Sequence, residues 1–334
     1  MKKLSVCVIF DGAHTVADGI GRSAEYILRC LDPEKYNVFP VGITEDGDWV
    51  LYGGDDPTLV ANGEWRSHPH NRRAAISPVR DQGLLSFEGD CVVREWIDVA
   101  FPVPGGVNAW DGALQGLLEL AGIPCVGASA ASALVADRPL TRLVGQHLRW
   151  PQTKWKTVTS RELENRPETV MVALEEKIGY PMLVRSTENI AAEVGWKAEE
   201  RAGLKDRLLK AATDTPRILV EECIPGCALR VAVMGNENPM ASECGVLGDA
   251  IVNEELREQA RQMAVEIYSA MSCRGMVCMS FVVSDATGTL YFSDLDPFPE
   301  LSAESFCIQL FAASGFSGEE LIGQLLKRAL EDKR

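Results

Sequence analysis

Apolar runs and helical repeats alternate along the first third of the chain. Residues 4–10 form an uninterrupted apolar run, which is typical of a β-strand that is covered on both faces. Residues 24–31 repeat apolar side chains at helical spacing, and residues 37–43 form a second apolar run. This strand–helix–strand order predicts a sheet with parallel strands.

The segment between residues 53 and 89 has a different composition. It is rich in Gly, Pro, Asp and Arg and contains only short strand-like pieces, so we expect surface hairpins there. The patterns of a buried strand and of a helix resume at residues 99–103 and 113–121. The first unit is therefore expected to end with that helix.

The rest of the chain continues the alternation of helices and strands. We expect strands at residues 182–185, 218–221, 229–234, 277–283 and 289–294. A strongly amphipathic helix precedes the last two strands, and a final helix is expected at residues 319–331. The order predicts three α/β units in sequence, namely residues 1–121, 122–214 and 215–334.

Composition and charge argue against nucleic-acid binding and against a membrane protein. The chain has 334 residues and carries 33 Lys and Arg against 48 Asp and Glu, which gives a formal net charge of −15. So acidic a chain is a poor partner for nucleic acid or for an anionic membrane surface. No apolar stretch reaches the roughly 20 residues of a membrane span. Ten scattered cysteines in a chain with large apolar cores favour a reducing cytoplasm.

Several short motifs occur in a characteristic order along the chain. They are residues 101–103 (FPV) with 111–119 (DGALQGLLE), 122–127 (GIPCVG), 220–226 (VEECIPG) and 294–299 (DLDPFP). Together they resemble the D-alanine–D-alanine ligases of the ATP-grasp superfamily. The resemblance implies an α/β (α+β) ATP-grasp fold of three α/β subdomains, with a parallel-sheet preATP-grasp unit at the N-terminus. It also implies a reaction in which ATP and two Mg²⁺ ions form an acyl-phosphate that an amine attacks.

The nucleotide-binding positions of that family are partly changed in this chain. Arg138 and Arg185 stand where the family has two lysines that contact phosphate, and ordinary surface ion pairs are the alternative role for both. Glu221 matches an acid that contacts adenine, and Ile224 follows where the hinge backbone lies. Residues 189–194 (NIAAEV) replace a Gly-Ser-Ser-x-Gly loop, and so lack its glycines and hydroxyls.

The metal-binding positions are also altered. The family offers an Asp, a Glu and an Asn, and the corresponding residues here are Ser280, Asp294 and Asp296. The two aspartates alternate on one face of a strand end, so both remain candidate Mg²⁺ ligands. Solvated acids at a strand end are the alternative interpretation.

The changes are largest at the substrate positions. Cys278 replaces an Arg that faces the acyl-phosphate, and Glu300 replaces a Gly that donates an N–H to the oxyanion. Val16 replaces a Glu that orients the first substrate's ammonium group. Ser305 matches the Ser that helps to hold the second substrate's carboxylate. The family's mobile capping loop has no counterpart between Asp249 and the helix that follows.

These replacements lead to one main hypothesis and to alternatives. Residues that shape the fold match the family, whereas most residues that perform the chemistry do not. We therefore expect a binding or regulatory homologue without D-Ala–D-Ala ligation, in which binding of ATP and Mg²⁺ is doubtful. It would act as a homodimer or in association with a genuine ligase. The alternative is an active ATP-dependent ligase, acting either on D-alanine or on a different pair of acid and amine.

Overall fold

Three β-sheets and the helices around them make up the described part of the fold. The computed structural model describes residues 2–11, 19–103, 111–187 and 195–331. One sheet has seven strands, and the other two have four strands each. Val16 and the segment 189–194 lie outside the described residues, so the predictions made for them are not addressed by the structure.

The seven-stranded sheet contains the predicted parallel strands on one side, with β7 at the edge. Its strands are β1 (Leu4–Asp11), β2 (Tyr36–Ile43), β3 (Trp49–Leu51), β4 (Arg72–Ile76), β5 (Leu84–Glu88), β6 (Cys91–Glu95) and β7 (Val99–Val103). The order is β6–β5–β4–β3–β2–β1–β7. Strand β1 pairs in parallel with β2 and β7, while every pairing from β2 outward to β6 is antiparallel. The predicted surface hairpins thus extend the sheet and make it mixed.

Helices cover both faces of this sheet. They are α1 (Ile20–Cys30), α2 (Thr58–Ala61) and α3 (Ala113–Ala121), and the last has the predicted bounds. Alternate residues of β1 serve two cores, because Val6 and Val8 pack with α1 while Cys7 and Ile9 pack with α3. The continuous apolar run of β1 is explained by this burial on both faces.

The first four-stranded sheet lies in the middle of the chain. It is built from β8 (Trp155–Thr159), β9 (Met182–Ser186), β10 (Trp196–Ala198) and β11 (Arg217–Glu222) in the order β10–β9–β11–β8. Helices α5 (Ser160–Asn165), α6 (Pro167–Lys177) and α7 (Arg201–Asp214) pack on this sheet, whereas α4 (Arg138–His147) precedes it in the chain and packs against the last sheet. The strand expected at residues 218–221 opens the third unit in our prediction, but the structure pairs it with β8 and β9. The pattern of apolar residues predicts where a strand lies in the sequence, but not which strands it pairs with in the sheet.

The second four-stranded sheet lies near the end of the chain. Its strands are β12 (Gly226–Gly235), β13 (Met240–Leu247), β14 (Gly275–Ser284) and β15 (Leu290–Asp296), in the order β13–β12–β14–β15. Its helices are α8 (Glu254–Ala270), α9 (Phe306–Ala313) and α10 (Gly318–Glu331). Helix α10 packs in the same core as β1 and β7, so the last sheet and the first share buried apolar side chains. None of the helices in the described ranges is long and apolar enough to cross a lipid bilayer.

Buried thiols give the fold an expected sensitivity to alkaline pH. All ten cysteines are free, and burial raises the pKa of Cys7, Cys125 and Cys273 to about 12. In the unfolded chain these thiols ionise near pH 8.5. Above that pH the unfolded state binds fewer protons than the native state, so stability falls by about 1.4 kcal/mol per thiol and pH unit.

The measurement is urea unfolding between pH 8 and pH 10.5. A variant with Cys7→Ala, Cys125→Ala and Cys273→Ala is less stable at every pH, because it loses buried side chains, but its stability declines less steeply with pH. An identical decline in both proteins would contradict the role of the thiols.

Candidate functional site

Helix α4 brings two arginines into the interior beside the last sheet. Its start is fixed by Asp137, whose carboxylate accepts a hydrogen bond from the Leu140 N–H at 3.0 Å, and by a proline in the first turn. Arg138 and Arg142 are one turn apart on this helix and are 6% and 2% exposed. Such burial of arginine requires acidic partners or carbonyl acceptors.

Arg138 and Arg185 both bind Asp294. The Nε of Arg138 donates to the two carboxylate oxygens of Asp294 at 3.1 and 3.0 Å, and its Nη1 donates to the Ser186 carbonyl at 3.3 Å. The Nη1 of Arg185 donates to Oδ2 of Asp294 at 3.1 Å. One candidate metal ligand is therefore bound by both candidate phosphate-binding residues.

Arg142 joins the same group of side chains through Glu221. Its Nη2 contacts the Glu221 carboxylate and donates to the Ser293 carbonyl at 2.7 Å, while its Nη1 donates to the Phe292 carbonyl at 2.9 Å. The Nε of Arg185 lies 3.3 Å from the second oxygen of Glu221. Both oxygens of this candidate adenine-contacting acid thus face guanidinium groups.

We call these five side chains the buried ion-pair network: Arg138, Arg142, Arg185, Glu221 and Asp294. Neighbouring strands β9 and β11 bring Arg185 and Glu221 together, since Arg185 is opposite Leu219, two residues from Glu221 on the same face. The network contains three positive and two negative charges. Most of its polar atoms contact one another or backbone carbonyls, although the buried Nε of Arg185, 3.3 Å from Glu221, makes no hydrogen bond among the described residues.

The residues at the metal positions do not fit a divalent cation. Mg²⁺ needs carboxylate oxygens that are open to it, but the oxygens of Asp294 accept hydrogen bonds from guanidinium groups. Asp296 accepts a hydrogen bond from the Phe298 N–H at 2.9 Å. Ser280, opposite Asp294 in the sheet, offers only a hydroxyl. Across the described ranges no three His, Cys, Asp or Glu side chains are grouped as a metal site.

The nucleotide positions do not fit a triphosphate in this arrangement either. Phosphate oxygens need cations that are free to face them, whereas Arg138 and Arg185 face carboxylates. Ile224 lies half-buried in the connection from β11 to β12, where a hinge backbone was expected. An incoming nucleotide would have to break existing ion pairs.

Glu300 contacts helix α1 and the glycine that precedes it. Its carboxylate accepts a hydrogen bond from the Ser302 hydroxyl at 2.7 Å and lies 3.5 Å from the Arg22 guanidinium on α1. A Cβ at Gly19 would lie only 2.6 Å from the Glu300 carboxyl carbon. A carboxylate thus lies at the position for which the resemblance implies an N–H donor.

Cys278 is a buried residue of β14, opposite Asp296 in the sheet. A hydrogen bond with the Cys278 thiol, together with burial, raises the pKa of Cys307 well above its usual value. A neutral thiol supplies none of the positive charge that an arginine would place at this position.

Ser305 keeps the features expected of a carboxylate-binding residue. It directly precedes α9, is 7% exposed, and its buried hydroxyl has no hydrogen-bond partner among the described residues. A buried hydroxyl without a partner is costly unless a ligand or water satisfies it. Ser305 therefore stays a candidate for holding a substrate carboxylate.

Sequence analysis missed two members of the site. Arg142 was not predicted because the family motifs do not include it. Its position one turn after Arg138 places both side chains on the same face of the helix and could have indicated it. The contact of Arg22 with Glu300 joins residues 278 positions apart, and local pattern carries no information on such a pair.

Comparisons with known proteins agree on one family across the chain. The sequence models described as "D-ala D-ala ligase N-terminus" and "D-ala D-ala ligase C-terminus" match residues 6–128, and 144–248 with 245–327. The chain is 31% identical to a D-alanine–D-alanine ligase from Clostridium acetobutylicum over 98% of both chains, and 32% identical to one from Acetivibrio thermocellus over 98% of this chain and 96% of that one.

Solved structures agree with the fold. The D-Ala:D-Ser ligase VanG from Enterococcus faecalis superposes with a TM-score of 0.87 at 22% identity, covering 98% of this chain and all of that one. The D-alanine–D-alanine ligase from Coxiella burnetii gives 0.87 at 26% identity, covering 99% and 96%. The predicted α/β ATP-grasp fold is confirmed. This chain belongs to the D-alanine–D-alanine ligase family.

Proposed function

We propose that this protein is a member of the family that has lost ATP-dependent ligation and acts as a cytoplasmic binding or regulatory homologue linked to peptidoglycan precursor metabolism. The observation that carries the proposal is the buried ion-pair network. In it, the cations expected to hold phosphate bind the carboxylates expected to hold metal and adenine. These side chains therefore form ion pairs within the protein instead of contacts with Mg-ATP.

The substrate end supports the same proposal. Ligation needs a cation and N–H donors facing the oxygen that becomes negative, and losing one such donor typically lowers the rate by about 10²–10³. Here Cys278 replaces the cation, and the Glu300 carboxylate lies beside Gly19 and Arg22. A carboxylate at that place repels the developing charge instead of stabilising it.

The direct test is incubation with Mg-ATP and D-alanine, followed by phosphate assay and mass spectrometry of the products. The D-alanine–D-alanine ligase of C. acetobutylicum is the positive control. We expect no dipeptide and no shift of the unfolding temperature with millimolar Mg-ATP. Formation of D-Ala–D-Ala at a rate near that of the control would refute the proposal.

An active ligase, for D-alanine or for another acid and amine, is the second candidate. Identity of 31% to curated ligases over 98% of both chains favours it, as does the available hydroxyl of Ser305. In that case ATP and Mg²⁺ would bind after Arg138 and Arg185 release Asp294. Nucleotide affinity of Asp294 variants separates the two candidates, because they predict changes of opposite sign.

We further propose self-association, with pairing to a genuine ligase as the alternative. Leucines on and beside α4 are unusually exposed, from 38% to 59%: Leu134, Leu140, Leu143 and Leu148. Leu140 and Leu143 lie one turn apart on α4, and exposed apolar surface marks many protein interfaces. Light scattering is expected to give twice the mass of 36.5 kDa, and the mass of one chain for Leu140→Glu with Leu143→Glu. A monomeric parent protein would exclude the homodimer and leave pairing with a ligase to be tested by co-purification.

The division into units at residues 1–121, 122–214 and 215–334 stays a proposal. The pairing of β11 with the middle sheet favours a later start of the third unit, near β12. Limited proteolysis with mass spectrometry of the fragments would locate the boundaries.

A further inference from the structure

The middle sheet and the last sheet have separate apolar cores. We call β8–β11 with α5–α7 the middle lobe, and β12–β15 with α4 and α8 the last lobe. One core consists of buried apolar residues between 158 and 220, and another of Val135 with buried apolar residues between 229 and 295. Among the described residues, none of the buried apolar side chains of the middle lobe belongs to a core of the last lobe. Apolar burial thus stabilises each lobe separately, and other contacts hold the two together.

The chain crosses between the lobes twice, and the two crossing segments lie side by side. One leads from α4 into β8, and the other leads from β11 into β12. The Glu222 N–H donates to the Lys154 carbonyl at 2.8 Å, and the Lys154 N–H donates to the Glu222 carboxylate at 3.3 Å. Adjacent crossings at one place allow one lobe to rotate against the other, which is the geometry of a hinge.

Strand β9 runs from this hinge to the far end of the middle lobe. Met182, at its start, is opposite Glu222 in the sheet, whereas Ser186, at its end, is opposite Ile218. Four residues of strand at about 3.3 Å each place Ser186 roughly 13 Å farther from the hinge. A contact between the lobes at this end therefore opposes rotation with a longer lever arm than a contact at the crossings.

Two contacts of the buried ion-pair network join the lobes at this far end. Nη1 of Arg185, in the middle lobe, donates to Oδ2 of Asp294, in the last lobe, at 3.1 Å. Arg138, in the last lobe, donates from Nη1 to the Ser186 carbonyl of the middle lobe at 3.3 Å, and its Nε binds the same Asp294 carboxylate. Hydrogen bonds between charged groups are about twice as strong as those between neutral groups. Asp294 is the acceptor that both arginines share.

We propose that Arg138, Arg185 and Asp294 form a latch that keeps the middle lobe closed on the last lobe in the absence of a ligand. The latch is an autoinhibitory contact. A ligand that binds between the lobes must first separate them, so its apparent affinity falls by the fraction of open molecules. The latch does not depend on the loss of ligation, because an active ligase would have to release the same contacts.

The distance between the lobes tests the latch, and pulsed electron paramagnetic resonance measures it. Spin labels are attached to azide-bearing residues in place of Lys205 on α7 and Gln259 on α8, which are exposed and lie in different lobes. The parent protein is expected to give one narrow distance. Asp294→Ala removes the acceptor that the arginines share, and Arg185→Gln removes the guanidinium from the other lobe. Each is expected to add a second distance, because the ratio of closed to open molecules falls about tenfold to 100-fold on loss of a charge-assisted hydrogen bond.

Glu243→Ala is the matched control, since it removes a carboxylate from β13 of the last lobe, 3.9 Å from Arg261 and outside the latch. It should keep the single distance of the parent. Circular dichroism verifies that each variant is folded. Arg185→Gln serves as the test if Asp294→Ala does not fold, because it leaves the Arg138–Asp294 pair within the last lobe.

A single narrow distance shared by the parent and a folded latch variant would refute the latch, and so would a broad distribution of distances in the parent. The measurement uses neither ATP nor D-alanine. Failure of the latch and failure of the proposed loss of ligation are therefore separate results.

Discussion

Glu221→Ala is expected to lower the free energy of unfolding by about 3–5 kcal/mol, the usual cost of removing one partner from a buried ion pair. Glu221 is 3% exposed and faces the guanidinium groups of Arg142 and Arg185. Without it, Arg142 loses its counter-ion and remains held by the Phe292 and Ser293 carbonyls, while Arg185 keeps only Asp294 as a counter-ion. Chemical denaturation at neutral pH measures the change.

Two matched variants make this prediction specific. Arg142→Met combined with Glu221→Leu removes both charges and fills similar volume, so it should cost much less than the sum of the single losses. Glu25→Ala breaks the pair with Arg29 on the surface of α1 and should cost about 0–1 kcal/mol. If Glu221→Ala were as mild as Glu25→Ala, the network would not be a structural element of this protein.

Much of the fold could be predicted because it follows from local pattern. The apolar run of β1 and the helical spacing of apolar residues in α1 directly predict which of their residues are buried. The first and last residues of α3 were also predicted correctly. Partners of strands are set by distant residues, so the apolar pattern located β11 but did not reveal its pairing with β8 and β9. Short strands such as β10 carry too few residues for a periodic signal.

The same holds for the site: the sequence predicted which residues belong to it, but not which of them contact one another. Family motifs identified four candidates, but each was predicted to contact a different part of the ligand: phosphate for Arg138 and Arg185, adenine for Glu221 and metal for Asp294. Arg138 and Asp294 are 156 positions apart, and no spacing rule reveals that they bind each other. The sequence predicted four separate ligand-binding residues, whereas in the structure these residues pair with one another.

Asp294→Asn is expected to strengthen ATP binding by a factor on the order of 100, since one unit charge about 5 Å from a phosphate contributes roughly 3 kcal/mol at an effective dielectric constant of 20. The substitution frees Arg138 and Arg185 from their carboxylate, and the amide oxygen can still accept hydrogen bonds from them. Titration with ATP in EDTA, monitored by calorimetry, isolates this effect from metal binding.

The sign of the change decides between the two candidate functions. In an active ligase Asp294 would hold Mg²⁺, so Asp294→Asn would weaken Mg-ATP binding rather than strengthen it. Asp296→Asn is the control: it removes a charge of the same sign two residues away on β15, where its carboxylate accepts a hydrogen bond from the Phe298 N–H. Weaker Mg-ATP binding in both variants would indicate a working metal site. Stronger binding confined to Asp294→Asn would show that an internal counter-ion takes the place of the nucleotide phosphates.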